Sequence, residues 1–385
     1  MGVSFGRLNK MIALHNYVKP PFMKNTILLI LLSVIIGCAS SNQSHTALKE
    51  ENAPKNIILL IGDGMGVTQI SSLYAFEDKI ASFDRFKHIG FIKTSSSSHR
   101  ITDSAAGATA FASGVKTYNA AIGVDKDTVS VETIIEILSK ENWKTGLVAT
   151  SSITHATPAS FYAHVAHRNM EEEIAKQLVS ANIDIFIGGG SKFFNTRSDS
   201  LNYLDHFSKS GYVVNTQIGE NMWEETYSEK EAHLLSENAM MKMSEGRGNF
   251  LKMASNYTIN KLNKSDQRFF LMIEASQIDW GGHANDHEYI IEEMKDFDDT
   301  INAILDFAQK DGETLVIVTA DHETGGYALS GSKEGYNSVT GTFSTGGHTA
   351  ALIPVFAFGP GAENFQGLYE NNEIFHKMMQ LISEN

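Results

Sequence analysis

Six short, mostly apolar runs punctuate this chain, and helical patterns separate them. They cover residues 56–61 (N-I-I-L-L-I), 144–150, 183–187, 268–274, 314–320 and 354–358, and residues 88–93 form a further strand-like run. A run without polar alternation has no solvent face, so each reads as a strand buried on both sides. Such strands, alternating with helices, predict an α/β fold with a mostly parallel central sheet and helices on both faces. Helices are expected from about residue 66, over 131–140 and over about 287–309. No internal repeat is visible. Ligands of such sheets bind beyond the carboxyl ends of the strands. That rule selects Asp63, residues 150–157, residues 274–283, and the pair Asp321 and His322.

The amino end follows a different logic. Residues 1–25 contain Arg7, Lys10, Lys19 and Lys24 and no acid, and an apolar run follows over 27–36. That run is too short for a comfortable bilayer span and suits a signal-peptide core. It leads into Ile36, Gly37 and Cys38, then small residues, the arrangement of a bacterial lipoprotein cleavage site. Ile35 stands where leucine is usual, and Met23 offers an alternative start with a shorter signal. Cys38 is the single cysteine, which excludes a disulfide framework and suits lipidation. The expected organisation is a signal peptide over 1–37, a polar tether over 38–54 and a folded domain over 55–385. Export to the periplasm and a lipid anchor at Cys38 are expected. The 385-residue chain carries a net charge of −14, and the leader removes cations only. So acidic a body argues against a nucleic-acid partner. An anion site in it needs local positive centres, which bound metal ions supply.

Residues 102–119 read T-D-S-A-A-G-A-T-A-F-A-S-G-V-K-T-Y-N. One hydroxyl, Ser104, follows an acid, Asp103, and precedes the tiny residues Ala105, Ala106, Gly107 and Ala108. Small side chains let a helix start pack close to something charged, and the free N–H groups there favour an anion. Taken alone, the same letters describe a capped small-residue packing helix.

Clusters of metal-ligand side chains elsewhere decide between these readings. Gly62-Asp63-Gly64-Met65-Gly66 follows a strand and tempts one toward a dinucleotide fold, but the partner acid of that motif is not clearly placed. A turn that leaves the Asp63 carboxylate at the sheet edge is the better reading. Glu274, Asp279 and His283 lie within ten residues at another strand end, with Asp279 and His283 spaced to meet on one helical turn. Burying three such groups unpaired is costly. Asp286 and His287 are read as helix-start residues. Asp321 and His322 sit at a third strand end, in T-A-D-H-E-T-G-G, and His348 sits in the glycine-flanked loop T-G-G-H-T. Taken singly, the last two describe a solvated turn and an ordinary loop histidine. Together the clusters supply nitrogen and oxygen but no sulfur: zinc accepts both, and magnesium prefers oxygen.

In order and internal spacing these segments resemble the alkaline phosphatase family over most of residues 55–360. The resemblance implies that Ser104 is the nucleophile. It implies that Asp279, His283 and His348 hold a first zinc, and that Asp63, Asp321 and His322 hold a second. Asp63, Thr157 and Glu274 resemble the ligands of one magnesium. Arg168 matches the arginine that grips phosphate; its plainer reading is a surface ion pair with residues 171–173. Beside the phosphate, His155 and Trp280 replace the Asp and Lys of the enterobacterial form. The implied activity is hydrolysis of small phosphate monoesters at alkaline pH, by a catalytic domain over 55–385, and the family's common homodimer is expected. A phosphodiesterase or sulfatase of the same superfamily, or a non-catalytic metal- or phosphate-binding lipoprotein, are the alternatives. Sulfatases need a different nucleophile motif, and diesterases tend to use threonine. Residues 190–245, polar and weakly patterned, are read as room for a lid or an interface.

Overall fold

The computed structural model describes residues 53–383, apart from 78, 220, 221, 225 and 265. The expected signal peptide, Cys38 and most of the tether lie outside these residues.

The chain opens with β1 (Asn56–Gly62), α1 (Val67–Phe76), β2 (His88–Lys93), α2 (Ser104–Ser113) and α3 (Ile134–Lys140). Next come β3 (Lys144–Ser152), α4 (Ala156–Ala159), α5 (Glu171–Leu178) and β4 (Ile185–Gly189). Then follow α6 (Lys192–Asn195), α7 (Tyr203–Lys209), β5 (Tyr212–Asn215), β6 (Lys230–Leu234) and α8 (Phe250–Leu262). The central machinery is β7 (Phe269–Ala275), α9 (Gln277–His283), α10 (His287–Asp311), β8 (Thr314–Thr319) and β9 (Glu323–Thr324). A hairpin, β10 (Ala328–Ser332) and β11 (Gly335–Thr342), precedes β12 (His348–Thr349), β13 (Ile353–Phe358), β14 (Gly367–Glu370) and α11 (Glu373–Ser383).

Ten strands form one sheet in the order β14-β2-β13-β8-β1-β7-β3-β4-β6-β5. Every pairing is parallel except those of β13, which runs against both β8 and β2. The mostly parallel sheet expected from the apolar runs is therefore present. β1, β7 and β8 are buried along their whole length, as runs without alternation require. Helix caps trim the expected elements. The helix expected from residue 131 begins at Ile134, because the Thr133 side chain accepts from Glu136 N–H while Glu136 reaches back. Asp286 caps α10 through Tyr289 N–H, as its helix-start reading requires, and Gly312 ends it at φ 76°. Residues 190–245 add β5 and β6 to the sheet, so a small part of the segment read as lid or interface extends the sheet. Among the described residues no helix is long and apolar enough to cross a membrane.

Register sets up the site. Gly62 of β1 pairs with Ala275 of β7, and Ile61 pairs with both Glu274 and Thr319. The three central strands therefore end level, and the next residues of each emerge at one edge.

Candidate metal centre and active site

The turn after β1 can form only with glycine. Gly64 has φ +75°, and a Cβ there would lie 2.6 Å from the Asp279 Cα. A Cβ on Gly66 would lie 2.5 Å from the Glu323 Cγ. The glycine loop thus closes on α9 and β9, and it holds the Asp63 carboxylate fully buried. α2 approaches from the other side. A Cβ on Gly107 would lie 2.9 Å from the Asp321 Cβ, so the tiny residues after Ser104 are what let this helix reach the strand ends. The helix cap is Asp103, which accepts from Ala106 N–H at 3.1 Å and leaves Ser104 as the first helical residue.

Three groups of ligand-type side chains result: Asp279, His283 and His348; Asp63, Asp321 and His322; and Asp63, His155 and Glu274. Within each, the donor atoms lie within 4.8 Å of one another. The first two are the sets implied by the family resemblance. In the third, the His155 ring stands with Asp63 and Glu274, and Thr157 lies at the start of α4 with its hydroxyl buried and unpartnered.

The histidines are oriented from behind. His283 Nδ1 bonds the Gly346 carbonyl at 2.8 Å, and His348 Nδ1 bonds the Thr102 carbonyl at 2.9 Å. His322 Nδ1 lies 3.2 Å from Thr324 Oγ1, whose proton goes to Asp279 Oδ1 at 2.5 Å. A carbonyl can only accept, and a hydroxyl that has donated its proton can only accept, so each Nδ1 carries hydrogen and each Nε2 is a lone pair. His283 Nε2 and His348 Nε2 are 3.1 Å apart, and each faces Asp279 Oδ1, at 3.4 and 3.6 Å. His322 Nε2 lies 3.3 Å from Asp321 Oδ2, 3.6 Å from Asp63 Oδ1 and 3.3 Å from Ser104 Oγ. The rings of His322 and His348 stack with centroids 3.5 Å apart.

Acceptors facing acceptors in a buried pocket call for cations. Both Asp63 oxygens, Glu274 Oε1 and Asp321 Oδ2 are buried without a hydrogen-bond partner. Burial, then Asp321, Asp279 and Glu274, pushes the Asp63 carboxyl well above its usual range. Burial, with Asp321 beside it, lifts Glu274 to about 7, and burial raises Asp321 too. Burial and then His348 hold His322 well below its ordinary value, and burial followed by the Arg168 cation lowers His155 to about 3. Carboxylates forced up and imidazoles kept neutral are what a multi-cation site looks like to its own ligands. The donors present fit divalent metal ions.

Arg168 is placed differently from the surface pairing considered above. Its Nη1 lies 3.3 Å from Asp103 Oδ2, and its Nη2 donates to His155 Nε2 at 3.3 Å, so it pairs with these two residues rather than with residues 171–173. Trp280 stands edge-on to His155, ring centroids 6.0 Å apart, and puts no cation there. Two participants escaped the sequence reading. Asp103 was legible only as a cap, and Thr324 lay inside the D-H-E-T-G-G motif without a role. A further support, Ser151 Oγ to Glu274 Oε2 at 3.0 Å, joins strands distant in sequence.

Comparison with known proteins agrees with this geometry. A family model described as alkaline phosphatase matches residues 54–342. Alkaline phosphatase 3 of Bacillus subtilis is 33% identical, over 86% of this chain and 89% of that protein. The alkaline phosphatase of Escherichia coli is 29% identical, over 84% and 85%. The solved alkaline phosphatase of the Antarctic bacterium TAB5 superposes with a TM-score of 0.85 at 52% identity, covering 87% of this chain and 99% of that one. A histidine-to-aspartate variant of the TAB5 enzyme, at 51% identity and a TM-score of 0.84 over the same shares, has magnesium bound in its M3 site.

Proposed function

The chain belongs to the alkaline phosphatase family, and from that premise we propose that it hydrolyses phosphate monoesters at alkaline pH through a phosphoserine on Ser104. The observation that carries this reading is Ser104 Oγ itself. It lies at a helix start, 3.3 Å from His322 Nε2 and beside buried carboxylates with no partner of their own.

In this reading Asp279, His283 and His348 hold one zinc, and Asp63, Asp321 and His322 hold a second. Asp63, Thr157 and Glu274 hold magnesium, and the His155 imidazole stands beside that oxygen set with its Nε2 lone pair committed to Arg168. When bound, the ions neutralise charge on the phosphoryl group and on the attacking and leaving oxygens. Ser104 Oγ loses its proton and attacks phosphorus, the ester P–O bond breaks, and the alcohol leaves with a proton. Water then attacks the phosphoserine, releasing inorganic phosphate and restoring the Ser104 hydroxyl. An alkaline optimum follows from the need to ionise that hydroxyl. After its bonds to Asp103 and His155, each Arg168 Nη retains a second N–H that it can offer to a phosphate oxygen. Phosphoryl transfer asks little else of a protein beyond positioning and charge.

Substrate choice tests the reading. An aryl phosphomonoester, an aryl phosphodiester and an aryl sulfate are compared at mildly alkaline pH, before and after chelation. Strong monoester preference, lost on chelation and restored by zinc with magnesium, is expected. Preference for the diester or the sulfate overturns the substrate assignment, and no turnover by metal-loaded protein favours a non-catalytic binding role. We further propose cleavage before Cys38, a lipid anchor there, a periplasmic location, a tether ending near residue 54 and a homodimer. Mass analysis of the mature amino terminus and light scattering test these.

A further inference from the structure

Six described residues other than glycine hold a positive φ: Ala120, Thr128, Asn142, Asn182, Ser200 and Asn285. Asparagine tolerates this region, and a short polar side chain can hydrogen-bond locally to steady it. Thr128 and Ser200 sit in tight turns, donating their N–H groups to Asp125 and Arg197 carbonyls three residues earlier. Ala120, at φ 72°, lacks a tolerant side chain and sits inside the turn that the Ala121 N–H closes on the Tyr118 carbonyl at 3.1 Å.

What distinguishes Ala120 is where its two peptide groups go. Its N–H donates to Asp103 Oδ2 at 2.9 Å, and its carbonyl accepts the Arg168 N–H at 2.7 Å. The same Asp103 oxygen faces Arg168 Nη1 at 3.3 Å. One residue thus ties the acid beside the nucleophile to the backbone of the arginine, while that acid holds the arginine's head group. The clamp continues beyond it. Ile122 and Val165 exchange both backbone bonds, at 3.0 and 2.9 Å, and His164 Nδ1 bonds the Gly123 carbonyl at 2.6 Å. Moving φ of residue 120 to the ordinary region rotates its N–H against its carbonyl, so one of its two bonds must break. Strained backbone persists only where surrounding structure over-determines it, and it clusters at functional sites.

We infer that Ala120 is a positioning residue: its left-handed backbone fixes the Arg168 guanidinium relative to Ser104, and so sets the affinity for phosphate. This rests on the phosphate-gripping role proposed for Arg168.

The test compares Ala120→Gly, Ala120→Asn and Ala120→Val. Asparagine and valine are similar in size but opposite in tolerance of positive φ. Binding of inorganic phosphate to the metal-loaded enzyme is measured by calorimetry, and hydrogen exchange is followed at peptides containing residues 119–124 and 165–170. Glycine and asparagine are expected to keep phosphate affinity within about twofold of the parent, whereas valine, by misplacing a binding group, weakens it on the order of tenfold or more. Exchange at the Arg168 peptide should quicken in the valine variant alone. Equal weakening by asparagine and valine, or by glycine and valine, overturns the inference, because size or mere substitution would then be the cause. If valine prevents folding, the glycine and asparagine variants decide alone: either one weakening phosphate tenfold refutes the role. Failure of the parent to bind phosphate would instead refute the proposed function, and the exchange pattern still reads the Ala120 clamp.

Discussion

Removing the Thr324 hydroxyl should loosen two metal sites at once. Thr324 is fully buried; its Oγ1 donates to Asp279 Oδ1 at 2.5 Å and accepts from His322 Nδ1 at 3.2 Å. Asp279 belongs to one ligand group and His322 to the next. Thr324→Val keeps the shape and deletes both bonds. A hydrogen bond to a charged group contributes about 1.5–3 kcal/mol, and a buried N–H left unpaired costs about 1–3 kcal/mol. Supporting bonds of this kind typically govern 10–100-fold in metal affinity, about 1.4–2.7 kcal/mol, so the two routes to a magnitude agree. The assay is competition with a graded zinc chelator, reading bound metal per protein by elemental analysis. The valine variant should release zinc at free-metal concentrations roughly 10–100-fold higher than the parent. Thr324→Ser, which keeps the hydroxyl, should stay near the parent. A valine variant that retains zinc as tightly as the parent refutes the argument that this hydroxyl orients both ligands.

Other expectations rest on single features. Gly107→Ala puts a carbon 2.9 Å from the Asp321 Cβ, and overpacking of this sort costs about 1–3 kcal/mol; chemical denaturation should show that loss together with weaker zinc retention. In metal-free protein Glu274 titrates near 7 when folded, against an ordinary value of 4.5 when unfolded. Between those values the folded state holds the extra proton, so this group's contribution to metal-free stability should fall as pH rises from about 4.5 to above 7, by on the order of 3 kcal/mol, while the depressed His155 and His322 act in the opposite direction. Denaturation of the chelated parent and of a Glu274→Gln variant across that range checks it: the parent should lose stability relative to the variant as pH rises, and a relative gain contradicts it. Trp280→Lys restores a cation near His155 and should lower the inhibition constant for inorganic phosphate; no change means that position 280 does not govern product retention.

Much of this site was legible because its chemistry clusters in sequence. The runs that became β1, β7 and β8 show their burial in an unbroken apolar pattern, and the acids and histidines that follow each run mark the edge where they converge. Asp279 and His283, four apart, needed only one helical turn to meet. What stayed hidden depends on long-range register. Nothing in T-D-S announces that Asp103 reaches Ala120 and Arg168, because those contacts form only when residues 120–123 lie along residues 164–168. Thr324 is an ordinary threonine until the fold sets it between Asp279 and His322. The reversal of β13 was equally silent, since a strand's direction leaves no mark in so short an apolar run.

The central claim is that phosphate passes through Ser104. Metal-loaded enzyme, quenched in acid during turnover of a phosphomonoester and then digested, should yield one phosphorylated peptide, the one containing Ser104. Ser104→Ala should abolish both that peptide and nearly all turnover. Phosphate on another residue, or a Ser104→Ala variant turning over at the parent rate, contradicts the account.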